Sequence, residues 1–107
     1  MITNGVDLIE VQRIAEAIER HGERFLERVY TKKEIALFRN SNGSLAARWA
    51  AKEAVAKALG TGIGDVEWID IEILRGENKE PILILHGFAK SIAKEKQLDN
   101  WSISLSH

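Results

Sequence analysis

SLAARWAAKEAVAKALGTGIG, residues 44–64, is the stretch whose reading decides the fold. Seven of the fifteen residues from Leu45 to Leu59 are alanine, the strongest helix former. The spacing therefore predicts a helix with Ser44 as N-cap and Gly60 as the C′ glycine that stops it. A rotation of about 100° per residue puts Glu53 and Lys57 on one edge and Arg48 and Lys52 on another. Alanines, Trp49, Val55 and Leu59 fill the rest. A helix that is small and apolar nearly all round belongs in an interior. Its four charges must then be paired, ligated or at the rim of a site.

After Gly64 the apolar period changes to two. Ile69, Ile71 and Ile73 alternate with Trp68, Asp70, Glu72 and Leu74, which predicts a strand over 66–75. The cluster 76–81 reads as a turn, and Ile82 to Leu85 as a second strand of a hairpin, with Pro81 at its start. Phe88, Ala89, Ile92 and Ala93 mark one face of a helix over 87–96. Trp101, Ile103 and Leu105 alternate with serines in a last half-buried strand.

Upstream of the central helix, Ile2 to Asp7 reads as a brief strand. Val11, Ile14, Ala15 and Ile18 then predict an amphipathic helix over 10–21, ended by Gly22. A second helical patch turns Phe25, Leu26 and Val29 inward and Arg24 and Arg28 outward. Thr31 and Glu34 fit a capping box before a short helix through Ile35, Leu37 and Phe38. The order predicts one α+β domain, residues 1–107, with a mainly antiparallel sheet packed against a long alanine-rich helix.

Composition narrows the function. A chain of 107 residues with 45% hydrophobic and 29% charged residues is of globular type, and its formal charge of −1 lacks the basic excess that nucleic-acid binding uses. The absence of cysteine removes disulfide and thiolate chemistry and fits a reducing cytoplasm. No run has the length of a membrane span, and the start lacks a signal-peptide pattern.

Asp7 and Glu53 are the best-placed carboxylates for Mg²⁺, which takes oxygen ligands and keeps positions for water and phosphate. Against this stand a solvated strand end for Asp7 and an i, i+4 pair of Glu53 with Lys57. Gly60-Thr61-Gly62-Ile63-Gly64 follows a helix instead of preceding one, so it reads as a helix stop and tight turn before it reads as a phosphate cradle. His107 beside serines lacks the acid partner that a hydrolytic triad needs.

Four blocks together resemble the holo-acyl-carrier-protein synthases, the small phosphopantetheinyl transferases. They are Gly5 to Glu10, Arg24 to Thr31, Ala47 to Ala54 continued by Lys57 to Gly62, and Ser104 to His107. The resemblance implies transfer of the 4′-phosphopantetheine arm of coenzyme A to a serine of apo acyl carrier protein, with release of adenosine 3′,5′-bisphosphate. It implies Asp7 and Glu53 as Mg²⁺ ligands and Asp7, Glu53 and Lys57 as catalytic groups. Lys57 would lie at the diphosphate, Arg48 and His107 at the adenylate end and its 3′-phosphate, and Gly60 and Gly62 against the nucleotide. Glu53 and a metal-bound water stay open as the general base. The carrier protein would dock on Arg13, Arg20, Arg24 and Arg28, with Phe25 as apolar anchor. Members of the family are trimers with active sites at subunit interfaces. They also continue past the Ser-Leu-Ser-His block with a further strand, which this chain lacks. The alternative is accordingly a truncated, catalytically weak module that binds coenzyme A or the carrier. The resemblance gives Lys52 no role.

Overall fold

The computed structural model describes residues 8–98. Its order is α1 (Leu8–His21), α2 (Glu23–Val29), α3 (Lys32–Phe38), α4 (Asn42–Ala58), a 3-10 turn (Trp68–Asp70), β1 (Ile71–Arg75), β2 (Pro81–Leu85) and α5 (Gly87–Glu95). Helices on an antiparallel strand pair form the predicted α+β arrangement. The strands expected over Ile2–Asp7 and Trp101–Leu105, and with them Asp7 and His107, lie outside the described residues.

The long helix α4 joins two apolar clusters. Leu45 and Ala46 in its first half pack with Ile14 of α1, Leu26 and Val29 of α2, and Ile35 and Phe38 of α3. Val55 and Ala56 in its second half, with Leu59 just beyond, pack against Ile71, Ile73, Leu83 and Leu85 of the hairpin and Ala89 and Ile92 of α5. Among the buried residues of α4, Ala46 and Ala56 let neighbouring elements approach its backbone closely, which a larger side chain would prevent.

The helix begins a turn earlier than Ser44 predicts. Ser41 is the N-cap, in extended conformation, and its Oγ accepts from the Ser44 N–H at 3.1 Å. That cap draws Asn42 and Gly43 into the helix although their composition reads as loop; a serine cap contributes about 1 kcal/mol. Downstream, the predicted strand over 66–75 is only half as long. Its first part curls into the 3-10 turn, held by the Asp70 N–H on the Glu67 carbonyl (3.0 Å) and by the Glu67 N–H on the Asp70 carboxylate (3.3 Å). The hairpin itself forms as predicted, with Ile71 opposite Leu85 and Arg75 opposite Pro81. Alternation fails in β1, where Ile71, Glu72 and Ile73 are all buried. Phe88, expected on the apolar face of α5, is exposed.

Two predicted stops hold. Gly22 ends α1 with φ +56°, and Gly60 follows α4 with φ +83°, both in the left-handed region that glycine enters without a Cβ penalty. The Thr31 capping box is complete: Thr31 Oγ1 accepts from the Glu34 N–H at 3.2 Å and Glu34 Oε1 accepts from the Thr31 N–H at 2.8 Å.

Candidate active site

Lys52 is the structural centre of the region. Its side chain and that of Glu34 are both 0% exposed, and their ion pair measures 2.8 Å. The ammonium also donates to the carbonyls of Val29 (2.8 Å), Trp68 (3.0 Å) and Ile71 (2.5 Å). Four acceptors for three protons means that one N–H is shared. These acceptors lie at the end of α2, in α3, in the 3-10 turn and at the start of β1, so one side chain of α4 ties four elements together. Burial pushes the Lys52 ammonium below its usual range, and the Glu34 charge opposes that shift. Glu34 Oε2 also accepts the Ile73 N–H at 2.8 Å, which leaves both its oxygens occupied.

The seam continues outward. Thr31 Oγ1 donates to Glu72 Oε2, and Glu72 Oε1 meets His86 Nε2 at 3.0 Å. Burial pushes Glu72 up, but the hydrogen bonds from Thr31 and His86 outweigh it and hold the carboxyl below the usual carboxylate range. This explains the buried acid in mid-strand: Glu72 faces the start of α3 while Ile71 and Ile73 face the apolar cluster.

With Lys52 locked inside, the next residue is turned about 100° around the axis, and Glu53 is exposed, as is Lys57 one turn later. Among the described residues no ion pair joins Glu53 to Lys57, so the purely structural i, i+4 pairing is not what occupies this face. A carboxylate and an ammonium are thus exposed one helical turn apart.

The glycine loop that follows is a turn and not a cradle. The N–H groups of Gly60, Thr61 and Gly62 bond back to the Lys57 and Ala56 carbonyls at 2.9–3.2 Å, and that of Gly64 to Val66 at 3.0 Å. None is aimed at an anion, and a nucleotide there would use the close approach that glycine permits. Lys96 of the segment after α5 caps the end of α4, donating to the Leu59 carbonyl at 2.8 Å.

Arg48 is half-buried. Its guanidinium lies 3.5 Å from the Phe38 ring centroid, and Nε donates to the Ile73 carbonyl at 3.0 Å. Arg13, Arg20, Arg24 and Arg28 are exposed on α1 and α2, Arg13 in a long contact with Glu10 (3.7 Å). Phe25 stacks on Trp49, which stacks on Trp68, at centroid distances of 5.9 and 4.2 Å. That packing commits the Phe25 ring to the molecule, while the four arginines of α1 and α2 are exposed.

Comparison with known proteins places the chain in a family. A match to the 4′-phosphopantetheinyl transferase superfamily spans residues 4–106. The chain belongs to this superfamily. It is 48% identical over 114 residues to the holo-acyl-carrier-protein synthase of Herpetosiphon aurantiacus, covering 100% of this chain and 90% of that protein. With the synthase of Carboxydothermus hydrogenoformans it shares 49% over 110 residues, covering 100% and 89%. The crystal structure of Helicobacter pylori holo-acyl-carrier-protein synthase in complex with coenzyme A superposes with a TM-score of 0.72 at 32% identity, over 81% of this chain and 74% of that one. The protein is therefore a phosphopantetheinyl transferase, with the α+β fold of the solved synthases.

Glu53 and Lys57 are exposed one turn apart on α4, whereas Arg48 is half-buried against Phe38. Among the described residues no three His, Asp or Glu side chains converge, and none of their helices is long and apolar enough to cross a membrane. What the sequence reading missed is the seam Lys52–Glu34–Thr31–Glu72–His86. The one signal available was the capping box, whose Glu34 is the acid that pairs with Lys52.

Proposed function

We propose that this chain, acting as a single domain over residues 1–107, transfers the 4′-phosphopantetheine arm of coenzyme A to a serine of apo acyl carrier protein and releases adenosine 3′,5′-bisphosphate. The observation that carries the reading is the exposed Glu53–Lys57 pair on α4, inside a chain that matches the synthases throughout. In the reaction a bond forms between the serine oxygen and the phosphorus next to pantetheine. The bond from that phosphorus to the bridging oxygen breaks, and the electron pair leaves with the bisphosphate. Phosphoryl transfer of this kind depends on positioning and on charge stabilisation.

Lys57 supplies a cation where negative charge grows on the leaving group. Glu53 supplies a carboxylate that can hold a cation and accept the serine proton within hydrogen-bond reach. Its exposed, oxygen-only donor fits Mg²⁺, with Asp7 as the second ligand. When bound, Mg²⁺ neutralises diphosphate charge. Arg48 and His107 serve the adenylate end, and Gly60 and Gly62 give the nucleotide room. The acidic carrier docks on Arg13, Arg20, Arg24 and Arg28, beside Phe25. Three copies of the chain assemble with a site at each interface, and the reaction belongs in the cytoplasm, in keeping with a cysteine-free chain.

Incubation with coenzyme A, Mg²⁺ and apo carrier protein tests this directly: mass spectrometry should show one phosphopantetheine added per carrier. Intact coenzyme A binding without that gain would make the chain a binding module. Light scattering should give a trimer mass, and a monomer mass would remove the interface site.

A further inference from the structure

The carbonyl end of α4 is an unfavourable place for an anion. Lys57 lies in the last turn of this helix, and Gly60 and Gly62 follow it. A helix C-terminus carries a negative partial charge of about half an elementary charge, which would repel an anionic nucleotide. The turn offers little relief, because the N–H groups of Gly60, Thr61 and Gly62 are spent on the Lys57 and Ala56 carbonyls.

The compensation comes from another element. Lys96 is the C-cap of α5, and its Nζ donates to the Leu59 carbonyl at 2.8 Å, 37 positions back in the chain. Among the described hydrogen bonds it is the only one that joins residues 57–62 to an element other than α4. The ammonium lies close over the glycine, since a Cβ on Gly60 would stand 2.6 Å from Nζ. Its backbone is held on a fixed turn. The Lys96 N–H bonds to the Ile92 carbonyl (2.9 Å) and the Leu98 N–H to the Ala93 carbonyl (2.8 Å), with Gln97 between them at φ +58°. Ile92 and Ala93 share the apolar cluster of Val55 and Leu59, so α5 presents the cation to α4 from a packed base.

Lys96 is nevertheless exposed, and no ion pair among the described residues uses it. Its bond to Leu59 occupies one of three N–H donors. A lysine that did no more than cap a carbonyl would serve at any helix end. This one stands at the end that carries Lys57 and the glycine turn, where the coenzyme A reading puts an anion.

We propose that Lys96 is an electrostatic determinant of coenzyme A binding: its ammonium offsets the negative end of α4, so that the anionic nucleotide settles on the Gly60–Gly64 turn. Lys96 is thus a positioning residue that acts through the helix end. The inference rests on the coenzyme A reading above. Coenzyme A is favoured over the carrier protein as the anion served, because the residues assigned to the nucleotide share this helix end. The arginines assigned to the carrier stand on α1 and α2.

The test measures calorimetric binding of coenzyme A, with KM and kcat for transfer, in the parent chain, Lys96→Met, Lys96→Gln and Lys96→Arg. Lys96→Met should weaken coenzyme A binding about fivefold at low ionic strength, and the difference should shrink as salt screens it. The loss should fall on KM for coenzyme A and spare kcat and the carrier KM. Gln keeps a donor for the Leu59 carbonyl without the charge and should match Met, whereas Arg keeps the charge and should restore most of the affinity. If Lys96→Met does not fold, the comparison of Gln with Arg decides alone. Equal coenzyme A affinity in those two variants overturns the proposal and leaves Lys96 a helix cap, and a rise confined to the carrier KM overturns it too. Transfer activity separates the two readings. Transfer by chains that all bind coenzyme A alike sinks this inference and leaves the transferase reading standing. A charge-dependent affinity in a chain that does not transfer does the reverse, and a parent chain that takes up no coenzyme A ends both.

Discussion

Lys52 and Glu53 are neighbours on one helix and have opposite fates. The Lys52 ammonium is wholly enclosed and touches four acceptors, whereas the Glu53 carboxylate is exposed and ion-paired to no described residue. The comparison separates two uses of charge. An enclosed, saturated ion sets geometry, because each of its bonds specifies where a neighbouring element must lie. An exposed ion on the adjacent face is open to an external ligand. Buried ion pairs seldom add net stability over a well-packed apolar alternative, yet losing one partner is costly. The Lys52 seam fixes which face of α4 is turned inward and which is left exposed.

The contrast breaks most visibly at Lys52. Replacing it by Met should leave Glu34 buried without its cation and lower stability by about 3–5 kcal/mol, read as a shift of the urea midpoint. A loss under 1 kcal/mol would show that the seam does not hold the fold. Thr31→Ala removes both the α3 cap and the donor to Glu72, and should cost about 1–2 kcal/mol in the same experiment.

Acid sharpens the picture from the Glu72 end. Its folded carboxyl titrates below the usual value of 4.5, so its contribution is complete above that value and is lost as pH falls through the folded value. Urea midpoints measured from pH 7 to pH 3 should therefore fall more in the parent chain than in Glu72→Gln, and parallel curves would refute the coupling. The smallest effects belong to the outer arginines. Reversing Arg13 and Arg28 to Glu should raise KM for the carrier protein several-fold, leave KM for coenzyme A in place and leave stability within about 0.5 kcal/mol.

Much of this was legible in the residues. The alanine-rich run, its C′ glycine, the Thr31 capping box and the hairpin all follow from local rules, and all are found. The misses have two causes: local side-chain bonds that composition does not reveal, and tertiary partners that override local pattern. Ser41 captures the N-cap because its hydroxyl reaches the Ser44 N–H. Residues 68–70 coil because Asp70 bonds back to Glu67. Glu72 is buried because Thr31 and His86 meet it, contacts 41 and 14 positions away in the chain. Lys52 had no assignable role in the sequence because its four acceptors come from segments whose approach no periodicity encodes. At the site, the outward pair Glu53–Lys57 was readable from helical spacing, but Lys96 was not, since only the fold brings the end of α5 to the Leu59 carbonyl.

The central claim is that the outer face of α4 does chemistry while the inner face only positions it. It is tested most directly by Glu53→Gln, with carrier modification and urea stability measured on the same sample across a Mg²⁺ titration. The expected result is a folded protein with stability within about 0.5 kcal/mol of the parent chain and transfer reduced by about 10²-fold or more at every Mg²⁺ concentration. Transfer at the parent rate from a folded Glu53→Gln chain would contradict it.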